Sequence, residues 1–241
     1  MSEPGFAAKT LLLVAKDLRV EVRGRDTLPP MIVFCLVVAL LAAFTLPDAA
    51  DLTEPVTLPG GTASLADVIA GFLWITVLFA GLIGFARTFE VERDEGAIDA
   101  LLLVPLDRSG LFAAKGLSNL AYLVTAEVVL LPVFALFFSI DLGTRWFVLL
   151  LVVALVDIGF AAIGTLFAAL AAQTRSRELI LPILALPALV PAFIAGVELS
   201  SDLFAGGGLE QVAARGWFGV LLAFDVIFVT VGALAFEFAI D

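Results

Sequence analysis

Histidine is absent from this 241-residue sequence, and cysteine occurs once, at Cys35. Because histidine is the commonest metal-ligating and haem-ligating side chain, its absence argues against a resident metal or haem site. A single cysteine excludes a disulfide within the chain, and the lack of a Cys/His cluster argues against a catalytic zinc. No serine has a histidine to activate it, which excludes a Ser–His mechanism. The sequence also lacks a Walker motif, so the chain cannot hydrolyse ATP through a P-loop.

Basic residues are scarce as well. Lys and Arg together number 13 against 24 Asp and Glu, which gives a formal net charge of −11. Lysine occurs only at Lys9, Lys16 and Lys115. An acidic, lysine-poor composition indicates a prokaryotic host with high internal salt, where screening makes the excess negative charge tolerable. No nucleic-acid partner is expected.

Apolar residues, by contrast, make up 62% of the chain, and the mean hydropathy is +1.13. A soluble domain of this length does not need so much apolar residue, so the composition predicts an all-α integral membrane protein. Six apolar runs are each long enough to cross a bilayer, which takes about 20 residues. They form a single membrane domain and cover residues 27–47, 68–86, 116–140, 146–174, 179–197 and 216–236.

The first 26 residues predict an amphipathic helix that leads into the first span. Charged and apolar positions are interleaved there, and this pattern favours an anchor in the membrane interface over a specific protein contact. With the N-terminus in the cytoplasm, only Arg145 and Arg215 of the 13 basic residues fall outside. The positive-inside rule therefore predicts a multi-pass protein of the plasma membrane with both termini in the cytoplasm.

The most unusual stretch is residues 89–108, FEVERDEGAIDALLLVPLDR, between the second and third spans. Pro105 should end a helix that starts near residue 90, and carboxylates gather at its start, where the helix macrodipole favours them. Ile98, Leu101 and Leu102 recur at helical spacing and give it one apolar stripe. Because anionic lipid would repel such an acidic helix, a protein partner is favoured over a solvated helix in the interface.

Three carboxylates lie inside predicted spans, at Glu127, Asp157 and Asp225. A charge at bilayer depth is unfavourable, so such residues either mark a pathway or are neutralised by protonation or hydrogen bonding. Candidate hydrogen-bond partners on neighbouring helices are Thr125, Thr165 and Thr230. Both interpretations stay open, although the small residues around Asp157 favour a bond between helices.

Two further features of the spans bear on function. Three prolines in the fifth span, at Pro182, Pro187 and Pro191, are expected to break its hydrogen-bond ladder repeatedly. Because broken membrane helices occur where protein or a cavity covers the freed carbonyl groups, this span is a candidate gate lining. Met31 and Cys35 share a helix face and form a candidate soft-ligand pair, but a packing role is favoured for the cysteine.

The acidic stretch resembles the coupling segment of the permeases of cytochrome c maturation ABC systems, the haem exporter protein B family. The resemblance assigns an ATPase-coupling role to Glu92, Arg93, Glu95, Gly96, Asp99, Leu101, Leu102, Pro105 and Arg108. Asp99 departs mildly from the family pattern, in which glutamate is common. Residues 16–25 are also similar to the family's opening helix, and residues 159–170 to its fourth span.

The resemblance implies a non-catalytic six-span permease with a cytoplasmic coupling helix between spans two and three. It would work with a second copy of itself, a separate cytoplasmic ABC ATPase and the haem-handling membrane subunits of the system. ATP would bind the ATPase subunit, this chain would bind no cofactor, and haem is a candidate cargo. The implied function is haem export, or ATP-driven release of a haem-loaded chaperone, in cytochrome c-type biogenesis.

Two alternatives to this function remain compatible with the sequence. An ABC-2-type exporter of another substrate, such as a lipid or a drug, shares the coupling motif. An intramembrane enzyme that uses the buried carboxylates is less favoured, because few polar residues for substrate binding lie at the span ends.

Overall fold

The computed structural model describes residues 5–46, 51–58, 61–89, 108–172 and 177–240. Within these ranges, six helices are long and apolar enough to cross a membrane. They confirm the all-α membrane architecture with six spans that hydropathy predicts.

The helices, in chain order, are α1 (Phe6–Gly24), α2 (Leu28–Thr45), α3 (Leu65–Ala86), α4 (Arg108–Phe137), α5 (Trp146–Ala172), α6 (Arg177–Phe204), α7 (Leu209–Ala214) and α8 (Trp217–Ile240). All except α1 and α7 are candidate spans. Helix α4 begins well before residue 116, where the sequence suggests that the third span starts. Polar residues such as Lys115 lower the hydropathy of its first turns without interrupting the helix.

The connection between α2 and α3 contains an antiparallel hairpin of two strands, β1 (Pro55–Leu58) and β2 (Gly61–Ser64). Ser64 then starts α3 through a capping box. Its hydroxyl accepts a hydrogen bond from the Asp67 main-chain N–H at 3.2 Å, and the Asp67 carboxylate accepts one from the Ser64 N–H at 2.8 Å. The exchange satisfies two donors that the helix itself cannot pair.

Helix α5 lies at the centre of the bundle, where it packs against α8, α6 and α4. Its contact with α3 depends on two glycines. Gly164 in α5 lies against the ring of Phe85, and Gly81 in α3 lies against the ring of Phe160. The two rings meet edge to face with their centroids 4.7 Å apart. In each helix, a phenylalanine ring of the other helix therefore packs against a glycine. The missing side chain permits the two helices to approach closely.

Helix α6 is continuous from Arg177 to Phe204, although Pro182, Pro187 and Pro191 lie inside it. The expectation that the fifth span is repeatedly broken is therefore wrong. A proline removes one N–H donor, but its fixed backbone angle is compatible with a helix. Inside a membrane bundle, neighbouring helices and local adjustments accommodate the carbonyl groups that lose their partners.

Candidate functional site

A buried ion pair holds α1 against the first turns of α4. Lys115 Nζ lies 3.1 Å from Asp17 Oδ2, and the side chains are 5% and 10% exposed. The Ser118 hydroxyl donates a hydrogen bond to the same carboxylate oxygen at 3.2 Å. Lys16 Nζ lies 3.2 Å from the other oxygen, but its side chain is 42% exposed. One carboxylate oxygen of Asp17 thus has two partners inside the protein, and the other oxygen has one near the surface.

The buried side chains of helix α1 are polar, whereas several of its apolar side chains are exposed. Its buried residues are Thr10, Asp17 and Glu21. Leu12 and Val22 are more than half exposed. The outward apolar side suits a helix in the membrane interface, as the sequence predicts. The sequence did not favour a specific protein contact for α1. The contact with α4 uses the opposite face of the helix, so it is compatible with lipid contact on the apolar side.

Glu21 connects α1 to the start of α2. Its Oε1 accepts hydrogen bonds from the main-chain N–H groups of Leu28 at 2.7 Å and Thr27 at 3.1 Å. Its Oε2 lies 3.1 Å from the same Thr27 nitrogen. Thr27, at the N-cap position, makes no side-chain cap bond of its own, so the glutamate takes that role. A carboxylate is favourable there because the N-terminus of a helix carries partial positive charge.

Most of the expected ATPase-coupling positions lie outside the described residues, namely Glu92, Arg93, Glu95, Gly96, Asp99, Leu101, Leu102 and Pro105. The residues on either side of that segment are described. Phe89 is buried, and Lys115 Nζ lies 5.4 Å from its ring centroid. Arg108 Nη1 donates a hydrogen bond to the main-chain oxygen of Glu237 at 3.1 Å and lies 3.6 Å from its carboxylate.

The two flanks of the segment meet at the C-terminal part of α8. The ring of Phe236 lies 6.3 Å from that of Phe89 and 5.4 Å from that of Phe112, measured between centroids. Phe236 is fully buried. Phe89 and the first turns of α4 therefore pack in one aromatic cluster with the C-terminal part of α8.

Two of the three intramembrane carboxylates come together. Glu127 in α4 and Asp157 in α5 contact each other inside the bundle and are 3% and 0% exposed. Cys35 of α2 lies close to Glu127. Within the described part of the chain, no donor forms a hydrogen bond with either carboxyl group. Two carboxylates have no proton to offer each other, whereas one shared proton supplies a hydrogen bond between them.

Asp225 of α8 lies apart from this pair. Its carboxylate packs against Gly159 of α5, in space that a Cβ atom would occupy. Gly159 follows Asp157 by two positions, so the two residues lie on different sides of α5. The structure therefore divides the three residues between two helix interfaces.

The hydroxyl groups suggested as partners of these carboxylates are engaged elsewhere or exposed, so that hypothesis is wrong. Thr125 donates to a carbonyl of its own helix at 2.7 Å, and Thr230 is exposed. Thr165 accepts a hydrogen bond from Asn119 Nδ2 at 2.8 Å, and Asn119 Oδ1 accepts one from Thr88 at 2.9 Å. This buried chain links the end of α3 with α4 and α5. Sequence reasoning missed it, although an amide inside an apolar span is a visible signal.

A second polar layer lies at the opposite end of the bundle. Arg215 contacts two carboxylates of α6, Glu198 at 2.9 Å and Asp202 at 3.0 Å. The indole N–H of buried Trp74 donates to the Ser200 hydroxyl at 3.0 Å. These contacts connect α6 with α3 on one side and with the residues before α8 on the other.

An apolar groove of about 670 Å³ opens between α3 and α6 next to this layer. Trp74, Leu78, Pro187 and Phe193 line it, and Glu198 lies at one end. Its volume is in the range that binds small molecules in other proteins. Pro187 belongs to the span that the sequence marks as a candidate gate lining, but its helix is intact here.

No group of three His, Cys, Asp or Glu residues that could hold a metal ion occurs within the described ranges. The candidate soft-ligand pair lies in the hydrophobic core. Met31 and Cys35 are 0% and 1% exposed, and Met31 packs against Gly84.

These features define an α-helical multi-pass membrane protein, with polar contacts concentrated at the two ends of a six-helix bundle. A family model described as CcmB protein matches residues 8–241. The chain therefore belongs to the CcmB family.

Curated relatives agree with this family. The chain is 30% identical to heme exporter protein B of Paracoccus denitrificans, over 77% of this chain and 79% of that protein. It is 27% identical to the Rhodobacter capsulatus protein of the same name, over 78% and 80% of the two chains. The match to the Haemophilus influenzae protein, also called heme exporter protein B, is 25% identical but covers 95% and 96%.

Proposed function

We propose that this chain is the permease subunit of an ABC transporter complex in cytochrome c-type biogenesis. The complex exports haem or uses ATP to release a haem-loaded chaperone. The observation that carries the proposal is the CcmB family match over residues 8–241, together with relatives named heme exporter protein B. In this function the chain is not an enzyme, and ATP hydrolysis belongs to a separate subunit.

We assign residues 90–107 as the docking site of a cytoplasmic ABC ATPase. An acidic segment with an apolar stripe suits a protein partner, and its flanks, Phe89 and Arg108, are attached to the membrane bundle. Attachment at both ends is what a segment needs if it is to transmit force from a partner. The remaining proposed partners are a second copy of this chain, haem-handling membrane subunits and the lipid bilayer. The chain binds no cofactor itself, and haem is the candidate cargo.

The proposed location is the plasma membrane, with both termini in the cytoplasm. The distribution of basic residues supports this orientation, because Arg145 and Arg215 fall on one side and the other eleven on the other side. The excess of acidic residues, 24 against 13 basic ones, supports a prokaryotic host with high internal salt.

A deletion strain tests the function. Removal of the gene should abolish covalently haem-stained c-type cytochromes, and expression of the wild-type chain should restore them. Unchanged levels of these cytochromes in the deletion strain would contradict the proposal. Reconstitution of the complex in liposomes then separates the two modes, because only haem export delivers haem to an apoprotein on the far side of the membrane.

Charge reversal tests the docking site. The double substitution Glu95→Lys and Asp99→Lys should abolish co-purification of the ATPase subunit while the chain remains inserted in the membrane. The matched control is Glu54→Lys with Glu210→Lys, which reverses two exposed carboxylates at the other end of the bundle. Retention of the ATPase by the Glu95/Asp99 variant, or its equal loss in the control, would refute docking at this segment.

The groove between α3 and α6 favours one second candidate, an ABC-2-type exporter of a lipid or a drug. Its lining is almost wholly apolar and its volume of about 670 Å³ suits a hydrophobic substrate. In that case deletion would leave c-type cytochromes intact and reduce efflux of a fluorescent lipid or dye. The two functions thus give opposite results in the same strain.

A further inference from the structure

We propose that the Asp17–Lys115 ion pair is a positioning link, which makes α1 and α4 move as one body when the ATPase displaces the segment between Phe89 and Arg108. This inference rests on the proposed function, because it takes the ATPase to act on residues 90–107. Beyond that function, it names α1 as the element that moves together with α4, and Asp17 and Lys115 as the side chains that transmit the movement.

The first observation is that the ammonium group of Lys115 lies close both to α1 and to the residue that precedes the segment. Lys115 Nζ lies 3.1 Å from the Asp17 carboxylate of α1 and 5.4 Å from the ring centroid of Phe89, the last residue before the segment. Lys115 itself lies two turns into α4, after the segment ends. A shift of either flank therefore changes the environment of a charge that is paired with α1.

The second observation is that α1 also contacts the start of α2. Glu21, one turn after Asp17, accepts three close N–H contacts from Thr27 and Leu28 at the start of α2. On the other side, Ser118 of α4 donates to Asp17 at 3.2 Å. The polar face of α1 thus adds a connection between α4 and α2, which also pack directly against each other.

The third observation concerns the physical chemistry of a buried pair. Replacement of a buried ion pair by apolar or neutral groups of similar size is often neutral for stability, whereas removal of one partner is strongly destabilising. The pair is therefore better explained by a fixed geometry between α1 and α4 than by a gain in stability. Neutral substitution of both partners removes the fixed geometry and leaves no buried charge at positions 17 and 115.

The experiment compares cytochrome maturation with ATP hydrolysis in the whole complex. The Asp17→Asn/Lys115→Met variant should still co-purify with the ATPase and hydrolyse ATP, but its yield of mature c-type cytochrome per ATP should fall about tenfold, as for other couplings between sites. Lys115→Arg keeps the charge and should keep the ratio. A mere loss of folded protein lowers both quantities together and leaves the ratio unchanged.

Lys16→Met is the matched control, because Lys16 contacts the same carboxylate from the exposed side. It should leave the ratio at the wild-type value. The proposal is overturned if the double variant keeps the wild-type ratio, or if Lys16→Met lowers the ratio as far. Failure of the wild-type chain to retain any ATPase is a different result, since it refutes the proposed function together with the link.

If the double variant does not reach the membrane, a distance measurement tests whether α1 and α4 move as one body. Spin labels at Leu12→Cys and Leu117→Cys, both exposed, report the separation of α1 and α4 in a Cys35→Ala chain. The separation should be the same in the nucleotide-free complex and in the ATP-trapped complex. A change of separation between the two states would show that α1 and α4 move independently, and would overturn the proposal.

Discussion

The contact between α3 and α5 gives a prediction about Gly164. A Cβ atom at this position would overlap the ring of Phe85. That ring cannot easily retreat, because its edge-to-face partner Phe160 lies 4.7 Å away and is itself 5.1 Å from Phe193. Gly164→Ala should therefore force the two central helices apart.

The magnitude follows from two opposing effects. Overpacking of a well-packed core destabilises by about 1–3 kcal/mol. Replacement of glycine by alanine inside a helix stabilises by up to about 1 kcal/mol, because the chain loses less freedom on folding. We expect Gly164→Ala to lower the free energy of unfolding by about 1–2 kcal/mol. At this chain length that corresponds to a melting temperature lower by about 2–8 °C.

Gly71→Ala is the matched control, because Gly71 lies inside α3 with no atom within 4 Å of an added Cβ. It should be neutral or slightly stabilising. The assay is thermal unfolding of the purified chain in detergent, followed by tryptophan fluorescence. In addition, Phe85→Leu should cost less in the Gly164→Ala chain than in the wild type, because the smaller side chain makes room. Equal melting temperatures for the two alanine variants would refute the reasoning.

Three further predictions follow from the described contacts. Asp157→Asn should be mild, because the amide can donate to Glu127, whereas Asp157→Leu should be worse by about 1 kcal/mol in detergent unfolding; equal damage would mean that the charge itself matters. Cys35→Ala with Met31→Leu should leave c-type cytochromes intact, and the purified wild-type chain should give no specific Soret shift with haem; a shift lost in that variant would contradict this. Glu21→Ala should destabilise the chain by about 1 kcal/mol, the usual loss for a helix cap, and an unchanged melting temperature would refute the capping role.

The spans were predictable because hydropathy depends on local composition alone. Each of the six apolar runs corresponds to a helix, and α1 follows from the interleaved charges before Leu28. Local composition misjudged helix ends, since Lys115 and Ser200 lower hydropathy without ending α4 or α6. It also misjudged the three prolines of α6, because their effect depends on which neighbours surround the helix.

The polar contacts were not predictable, because they join residues far apart in the chain. Nothing near Asp17 in the sequence indicates Lys115, and nothing near Asn119 indicates Thr88 or Thr165. The carboxylates were found by their type alone. Their distribution depends on which sides of α5 face α4 and α8, and only the packed bundle decides that.

The link between α1 and α4 also has a consequence for how the chain is made. Asp17 and Ser118 are separated by 101 residues. At about 5–20 residues per second, the ribosome completes the partner of α1 about 5–20 s after α1 itself. During that delay α1 can bury its outward apolar side only in the membrane interface. Attachment to α4 is then the later of two contacts that α1 keeps on opposite faces, because α1 lies on the lipid surface before the third span has been made.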